Sequence, residues 1–213
     1  MRTAAELAQL LARRGIGDER VVAAIAAVPR ELFVPEELRR QAYADQALPI
    51  GEGQTISQPF MVATIAAALE LRGEERVLDV GTGSGYQAAV LAELAAEVVS
   101  IERVPELAER ARETLEQAGY GNVEVRVGDG TLGVPERAPY EGIAVAAAAP
   151  AVPDALYEQL ALGGRLVVPV GSLVDQWLEV VVRGEHGPER RRTVPCRFVP
   201  LLGSEGFDDR GGG

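Results

Sequence analysis

The chain has 213 residues, 47% hydrophobic and 25% charged, an ordinary globular composition that fits one good core with a small appendage. Its 21 basic residues are all arginine, and 32 acidic residues spread along the chain bring the net charge to −11, so nucleic acid and anionic membrane are disfavoured as partners. With one cysteine, Cys196, and one histidine, His186, an internal disulfide is impossible and a zinc site is nearly excluded; the expected metal content is none.

The N-terminal "MRTAAELAQLLARRG" carries Glu6 inside its apolar stretch, so it reads as an amphipathic helix and not as a signal peptide. No later segment approaches the apolar length of a bilayer span, and the expected location is the cytoplasm. Helices are predicted over 3–14 and 18–28, with Pro29 closing the second. "VPRELFVPEELRRQAYADQALPIG" is interrupted by prolines and reads as an irregular cap. A glycine-bounded loop, "GEGQTISQ", then leads into an apolar helix over 59–71. The plainest reading of Ser57 and Thr55 is helix capping beside a proline at the first helical position.

From there strands are predicted near 76–80, 97–101, 123–127, 141–146 and 164–169, with helices near 84–95, 104–118 and 153–161. This alternation means an α/β fold, a doubly wound, mostly parallel sheet with helices on both faces. "DQWLEVVVRGEHGPERRRTVPCRFVPL" predicts an antiparallel hairpin at the sheet edge, with His186 in its turn, Arg190 to Arg192 solvated, and Cys196 in a buried strand. The expected organisation is a cap and loop over 1–58, a core over 59–207 and a disordered tail over 208–213, as one structural unit.

In "RVLDVGTGSGYQAAVLAEL" a buried strand ends in Asp79, a glycine turn follows and a helix begins, which is where an open α/β sheet binds its ligand. Gly81, Gly83 and Gly85 are spaced G-x-G-x-G. Tyr86 stands where the dinucleotide fingerprint needs its third glycine, so a pyrophosphate is not favoured. Glu102 ends the second core strand, about twenty residues on, where a carboxylate can accept from ribose hydroxyls. Asp129, in "RVGDG", ends the third and can reach an adenine amino group. Three acids on consecutive strand ends point to one small-molecule site.

"VLDVGTGSGYQAAVLA", the acidic end of the next strand and "GDG" resemble class I S-adenosylmethionine methyltransferases. "VPRELFVPEELRRQAYADQALPIGEGQTISQPFMVA", "AAAAPAVPDALYEQLALGGRLVVPVG" and "CRFVPLLGSEGF" narrow the resemblance to the protein-L-isoaspartate (D-aspartate) O-methyltransferase family, from about Val28 to Phe207. The departures are Glu141 and Gly142, where the family usually has Asp-Ala, and Ala146 for a frequent Thr or Gly; they concern the fourth core strand and its tip.

The resemblance implies a seven-stranded sheet, S-adenosylmethionine as cofactor and damaged proteins or peptides with L-isoaspartyl, and possibly D-aspartyl, residues as substrates. The expected state is a monomer, although the sequence itself does not fix the oligomeric state. Ser57, with Thr55, would orient the substrate carboxylate. Ile56, Gln58, Pro59, Asp79, Gly81, Thr82, Gly83, Ser84, Gly85, Glu102, Asp129 and Gly130 would hold the cofactor, and Val199 and Leu201 the substrate. A carboxylate of pKa roughly 4 is ionised near neutrality and needs no general base to attack a sulfonium methyl. No histidine or lysine could activate Ser57 as a covalent nucleophile. Two other readings stay open at this point: a relative that methylates a defined peptide aspartate to install an aspartimide, expected to carry a peptide-binding segment beyond Phe207, and a non-catalytic S-adenosylmethionine-binding protein, expected to have eroded glycines or to lack Ser57.

Overall fold

The computed structural model describes residues 3–208; the tail expectation over 208–213 therefore lies, apart from Asp208, outside the described residues. Two helices open the fold, α1 (Ala4–Arg13) and α2 (Glu19–Ala27). Thr3 and Glu6 exchange side-chain and backbone hydrogen bonds in a capping box that starts α1, and Asp18 caps α2. Leu7 and Leu11 of α1 and Val21 and Ile25 of α2 are buried in the same cluster as Val77 and Val98, so the cap shares the core of the rest. Short 3-10 turns follow at Arg30–Phe33 and Glu36–Gln41.

The segment read as a loop is in part a hairpin. β1 (Leu48–Gly51) pairs antiparallel with β2 (Gln54–Ile56), and Gly51, Glu52 and Gly53 turn between them with positive φ. Next comes α3 (Pro59–Leu69), apolar along its whole length and buried on most sides, ending two residues earlier than its sequence suggests because Glu70 takes a left-handed conformation.

The core continues through β3 (Arg76–Val80), α4 (Tyr86–Ala92), β4 (Glu97–Glu102), α5 (Pro105–Gln117), β5 (Val123–Val127), β6 (Tyr140–Val145), the short α6 (Asp154–Glu158), β7 (Leu160–Gly171), β8 (Gln176–Gly184) and β9 (Gly187–Cys196). The seven-stranded sheet has the order β5-β4-β3-β6-β7-β8-β9. β3 to β7 are parallel, and β8 and β9 add antiparallel strands at one edge.

Alternate residues along each strand enter opposite layers, as a pleated strand requires. Val77, Val98 and Val167 face the layer that holds α1 to α5, whereas Leu78, Val99 and Leu166 face a second layer closed by Leu156 of α6, Val134 and Leu201. That second layer is covered by one short helix and 3-10 turns at Gly130–Leu132 and Pro135–Arg137, a thinner cover than the predicted helix over 153–161 would give.

β9 departs from its predicted character. It is the edge strand, with residues 188–192 exposed, and Cys196 at its end is half-buried, not part of a buried strand. Burial pushes the Cys196 thiol up to about 11, away from thiolate chemistry at neutral pH. Among the described residues no helix is long and apolar enough to cross a membrane.

Candidate active site

The order of the sheet places its crossover point between β3 and β6, and the glycine turn leaves β3 there. Gly81 N and Thr82 N donate to the Ile101 carbonyl at 2.9 and 3.3 Å, so the turn leans on the end of β4. Gly85 has φ +90°, and a Cβ there would stand 3.3 Å from Leu115 of α5, which is why the start of α4 packs close only with glycine.

Glu102 is nearly buried and accepts three backbone N–H groups: Gly83 N on Oε2 at 2.8 Å, and Arg103 N and Val104 N on Oε1 at 2.8 and 3.0 Å. Beneath the turn, Thr82 Oγ1 and Ser100 Oγ lie 2.6 Å apart, Ser100 donates to Asp79 Oδ2 at 2.7 Å, and Gln87 Nε2 donates to Asp79 Oδ1 at 2.8 Å. Asp79 has no exposure. Burial pushes its pKa up to about 6 against the hydrogen bonds from Ser100 and Gln87, with the Glu102 charge adding to the rise.

Two cavities open here. The first, about 320 Å³, is of small-molecule size and is lined by Gly81, Thr82, Gly83, Ser84, Glu102 and Gly130, by Thr55, Ile56 and Ser57, and by Val199 and Leu201. The second, about 550 Å³, adjoins it and is lined by Gln58, Met61, Cys196 and Arg197 among others. Four residues line both: Thr55, Ser57, Ala146 and Val199. Ala146, just past the end of β6, thus lies at the junction. Val199 and Leu201 are held there because Ala148 N donates to the Val199 carbonyl at 2.8 Å and Leu201 N to the Ala148 carbonyl at 2.7 Å.

Five expected site residues do not line the first cavity. Gln58 lines the second, with its Nε2 donating to the Asp45 carbonyl and carboxylate. Pro59 is buried as the first residue of α3, and Gly85 is a packing position against α5. Asp79 is enclosed by Gln87 and Ser100, so it braces the turn from below. Asp129 accepts from Thr131 N, Thr131 Oγ1 and Ser204 N at 2.9, 2.7 and 2.8 Å, which ties the tip of β5 to the C-terminal loop instead of presenting the carboxylate to the cavity.

The capping expectation for Ser57 is also corrected. Gln58 is the N-cap of α3, no side chain of the cap bonds the helix, and the free Phe60 N–H is taken by Asp45 Oδ1 at 2.9 Å from a distant turn. Among the described residues the Ser57 hydroxyl has no hydrogen-bond partner; its carbonyl accepts from Arg30 Nη2 at 2.9 Å. Sequence reasoning missed Tyr86, Ala147 and Leu202 on the first cavity. It also missed Arg197 on the second. Only a hairpin signal, "G-E-G" between two short apolar runs, was there to bring Gln54 into view.

A sheet wound in this order, with its glycine turn at the crossing point and a carboxylate on the next strand tip, defines the class: methyltransferases that draw on S-adenosylmethionine. A profile described as Protein-L-isoaspartate(D-aspartate) O-methyltransferase (PCMT) matches residues 2–206. The chain is 58% identical over 199 residues to protein-L-isoaspartate O-methyltransferase 2 of Marinobacter nauticus, covering 92% of this chain and 91% of that protein. It is 57% identical over 197 residues to the enzyme of that name from Methanoculleus marisnigri, covering 91% and 88%. Among solved structures, a protein-L-isoaspartate O-methyltransferase superposes with a TM-score of 0.84 at 30% identity, covering 94% of this chain and 66% of that one. A putative PCMT of Plasmodium falciparum in complex with S-adenosyl-L-homocysteine gives 0.82 at 26% identity, covering 95% and 99%. The chain belongs to the protein-L-isoaspartate(D-aspartate) O-methyltransferase family.

Proposed function

We propose that the chain transfers a methyl group from S-adenosylmethionine to the free carboxylate of L-isoaspartyl residues in proteins and peptides, at the junction of the two cavities. The observation that carries this reading is Ser57: a hydroxyl without a hydrogen-bond partner among the described residues, on a residue that lines both cavities and whose carbonyl is held by Arg30. The residues present fit the cofactor. Thr82, Gly83 and Glu102 offer a glycine-bounded wall and a carboxylate, and Ile56, Ile101 and Leu201 supply apolar lining. A carboxylate has roughly four acceptor positions, of which backbone N–H groups take three on Glu102, so one remains for a ribose hydroxyl.

When bound, the cofactor supplies an electrophilic methyl on a sulfonium. Transfer of that methyl to a carboxylate oxygen would leave the C–S electron pair on sulfur, so the carboxylate and sulfonium charges would cancel and no proton would have to move. The protein's part is therefore positioning. Ser57 and Thr55 donate to the substrate carboxylate, aligning one oxygen with the methyl, and such orientation is worth several kcal/mol, up to roughly 7–11 in favourable intramolecular cases. The apolar walls help as well, because two opposite charges disappear together in the transition state and a dry site favours that.

The second cavity takes the polypeptide on either side of the isoaspartyl residue, with Val199 as a shared wall. The methyl ester is then a better leaving group than a carboxylate, and closure to succinimide follows from substrate chemistry alone. The test is tritiated-methyl transfer to an isoaspartyl peptide beside the same peptide with normal aspartate. Label on the first and not the second is expected; equal label on both, or on neither, contradicts the reading.

A further inference from the structure

Arg30 has no exposure and heads the fully buried side chains by size. A buried guanidinium is costly to desolvate, and a hydrophobic side chain of similar volume would serve packing better. No carboxylate forms an ion pair with it among the described residues. It spends its donors on backbone instead: Nε donates to the Ala42 carbonyl at 2.8 Å, and Nη2 to the Ser57 carbonyl at 2.9 Å and the Gln46 carbonyl at 3.4 Å. Its carbon centre lies 4.4 Å from the centroid of the Tyr86 ring, while Nη1 and the Tyr86 hydroxyl are both buried without a hydrogen-bond partner among the described residues.

The groups this side chain joins come from three places. Ala42 and Gln46 belong to the cap, Ser57 to the loop at the cavity junction, and Tyr86 to the first turn of α4, directly after the glycines, where it lines the first cavity. Tyr86 is steadied on its other side by Phe33, edge to face at 5.9 Å. A planar fork can hold several carbonyls at fixed angles, which neither a methionine nor the compact ammonium of a lysine can do.

We propose that Arg30 is a positioning residue for the methyl-transfer reaction, fixing the Ser57 backbone against the cap and Tyr86 so that the Ser57 hydroxyl meets the incoming carboxylate. The proposal rests on the role given to Ser57 above. It accounts for a buried charge without an ion-pair partner: the anchored carbonyl and the free hydroxyl belong to one residue, and fixing the first limits where the second can point. It also joins the cofactor wall to the substrate loop through one side chain.

The test uses Arg30→Lys, which keeps the charge and loses the fork, and Arg30→Met, which keeps the volume, each alone and combined with Ser57→Ala. Melting temperature, S-adenosylhomocysteine affinity by calorimetry, and kcat and KM on an isoaspartyl peptide are measured well below the melting range. The expected result is cofactor affinity within about threefold of wild type and kcat down about tenfold or more, with KM moving less. Ser57→Ala should then cost less than about threefold further in the Arg30→Lys background, since its hydroxyl is already misplaced.

Wild-type kcat in either folded variant overturns the proposal, and so does a double variant whose loss is the full product of the single losses. Failure of both substitutions to fold would mark Arg30 as a stability residue and equally overturn it. Ser57→Ala alone separates the two readings: wild-type turnover there sinks the Ser57 role and this proposal together, whereas a loss there beside an unaffected Arg30→Lys sinks the proposal alone.

Discussion

Gly83 donates its backbone N–H to Glu102 Oε2 at 2.8 Å, so the carboxylate proposed to meet the cofactor ribose also pins the turn proposed to cradle the cofactor. Glu102→Ala removes both at once and releases the N–H groups of Arg103 and Val104. Affinity for S-adenosylhomocysteine should fall by about 1.5–3 kcal/mol, the range for hydrogen bonds to a charged group. Titration calorimetry reads this directly, and an unchanged dissociation constant would remove Glu102 from the site.

Asp79 gives a pH dependence whose sign is fixed by its surroundings. Its pKa is raised from 3.8 to about 6, chiefly by burial, so between those values the folded protein holds a proton that the unfolded chain lacks. Acidification through that window therefore adds stability at this residue, by about 3 kcal/mol at 1.36 kcal/mol for each pKa unit, and a rise back through pH 6 loses it. Glu75 and Asp129 pull the other way: burial raises both, but the hydrogen bonds they accept, from backbone N–H groups on Glu75 and from N–H groups and hydroxyls of Thr131 and Ser204 on Asp129, outweigh it and hold their pKa values below the ordinary range. Comparison with Asp79→Asn cancels those two. Thermal melts at pH 7 and pH 4.5 should show wild type gaining on the variant at the lower pH; parallel behaviour would contradict the shift.

Gly130 lines the first cavity, and a Cβ there would lie 2.7 Å from Val80 Cγ1 in the core behind it. Gly130→Ala must shift either the Val80 side chain or the turn that carries Gly130. A loss of about 1–3 kcal/mol, the usual cost of overpacking, should appear as a melting temperature several degrees lower. Wild-type stability would mean that Val80 yields freely and that glycine is not required by packing here.

How much of this was legible depends on how local the cause is. β3 to β5 could be placed within a residue because Val and Ile runs bounded by charge and glycine have little alternative in a buried parallel sheet. The glycine turn and Glu102 were legible for the same reason, since their spacing follows the βαβ unit. The destinations of the other two strand-end acids were not. Whether Asp79 faces the cavity or Ser100 depends on strand pairing, and Asp129 is claimed by Ser204, 75 residues away in sequence. Ser57 shows the limit most plainly: a serine beside a proline reads as a cap until Asp45 is seen to occupy that position. Arg30, an arginine between proline and glutamate in a polar-looking stretch, carries no sequence sign of its burial.

Ser57 is the residue on which orientation of the carboxylate depends, and its role is measured most directly by the turnover of Ser57→Ala on an isoaspartyl peptide, taken with its cofactor affinity and melting temperature. Because the hydroxyl has no hydrogen-bond partner among the described residues, stability should change by less than about 0.5 kcal/mol. Affinity for S-adenosylhomocysteine should stay near wild type, since Ser57 is placed to meet the substrate carboxylate and not the cofactor. The kcat should fall about tenfold or more, as one hydrogen bond to an ionised group is worth about 1.5–3 kcal/mol and 1.36 is a factor of ten. A folded Ser57→Ala enzyme with intact cofactor binding and wild-type turnover would contradict the claim that this hydroxyl orients the carboxylate for methyl transfer.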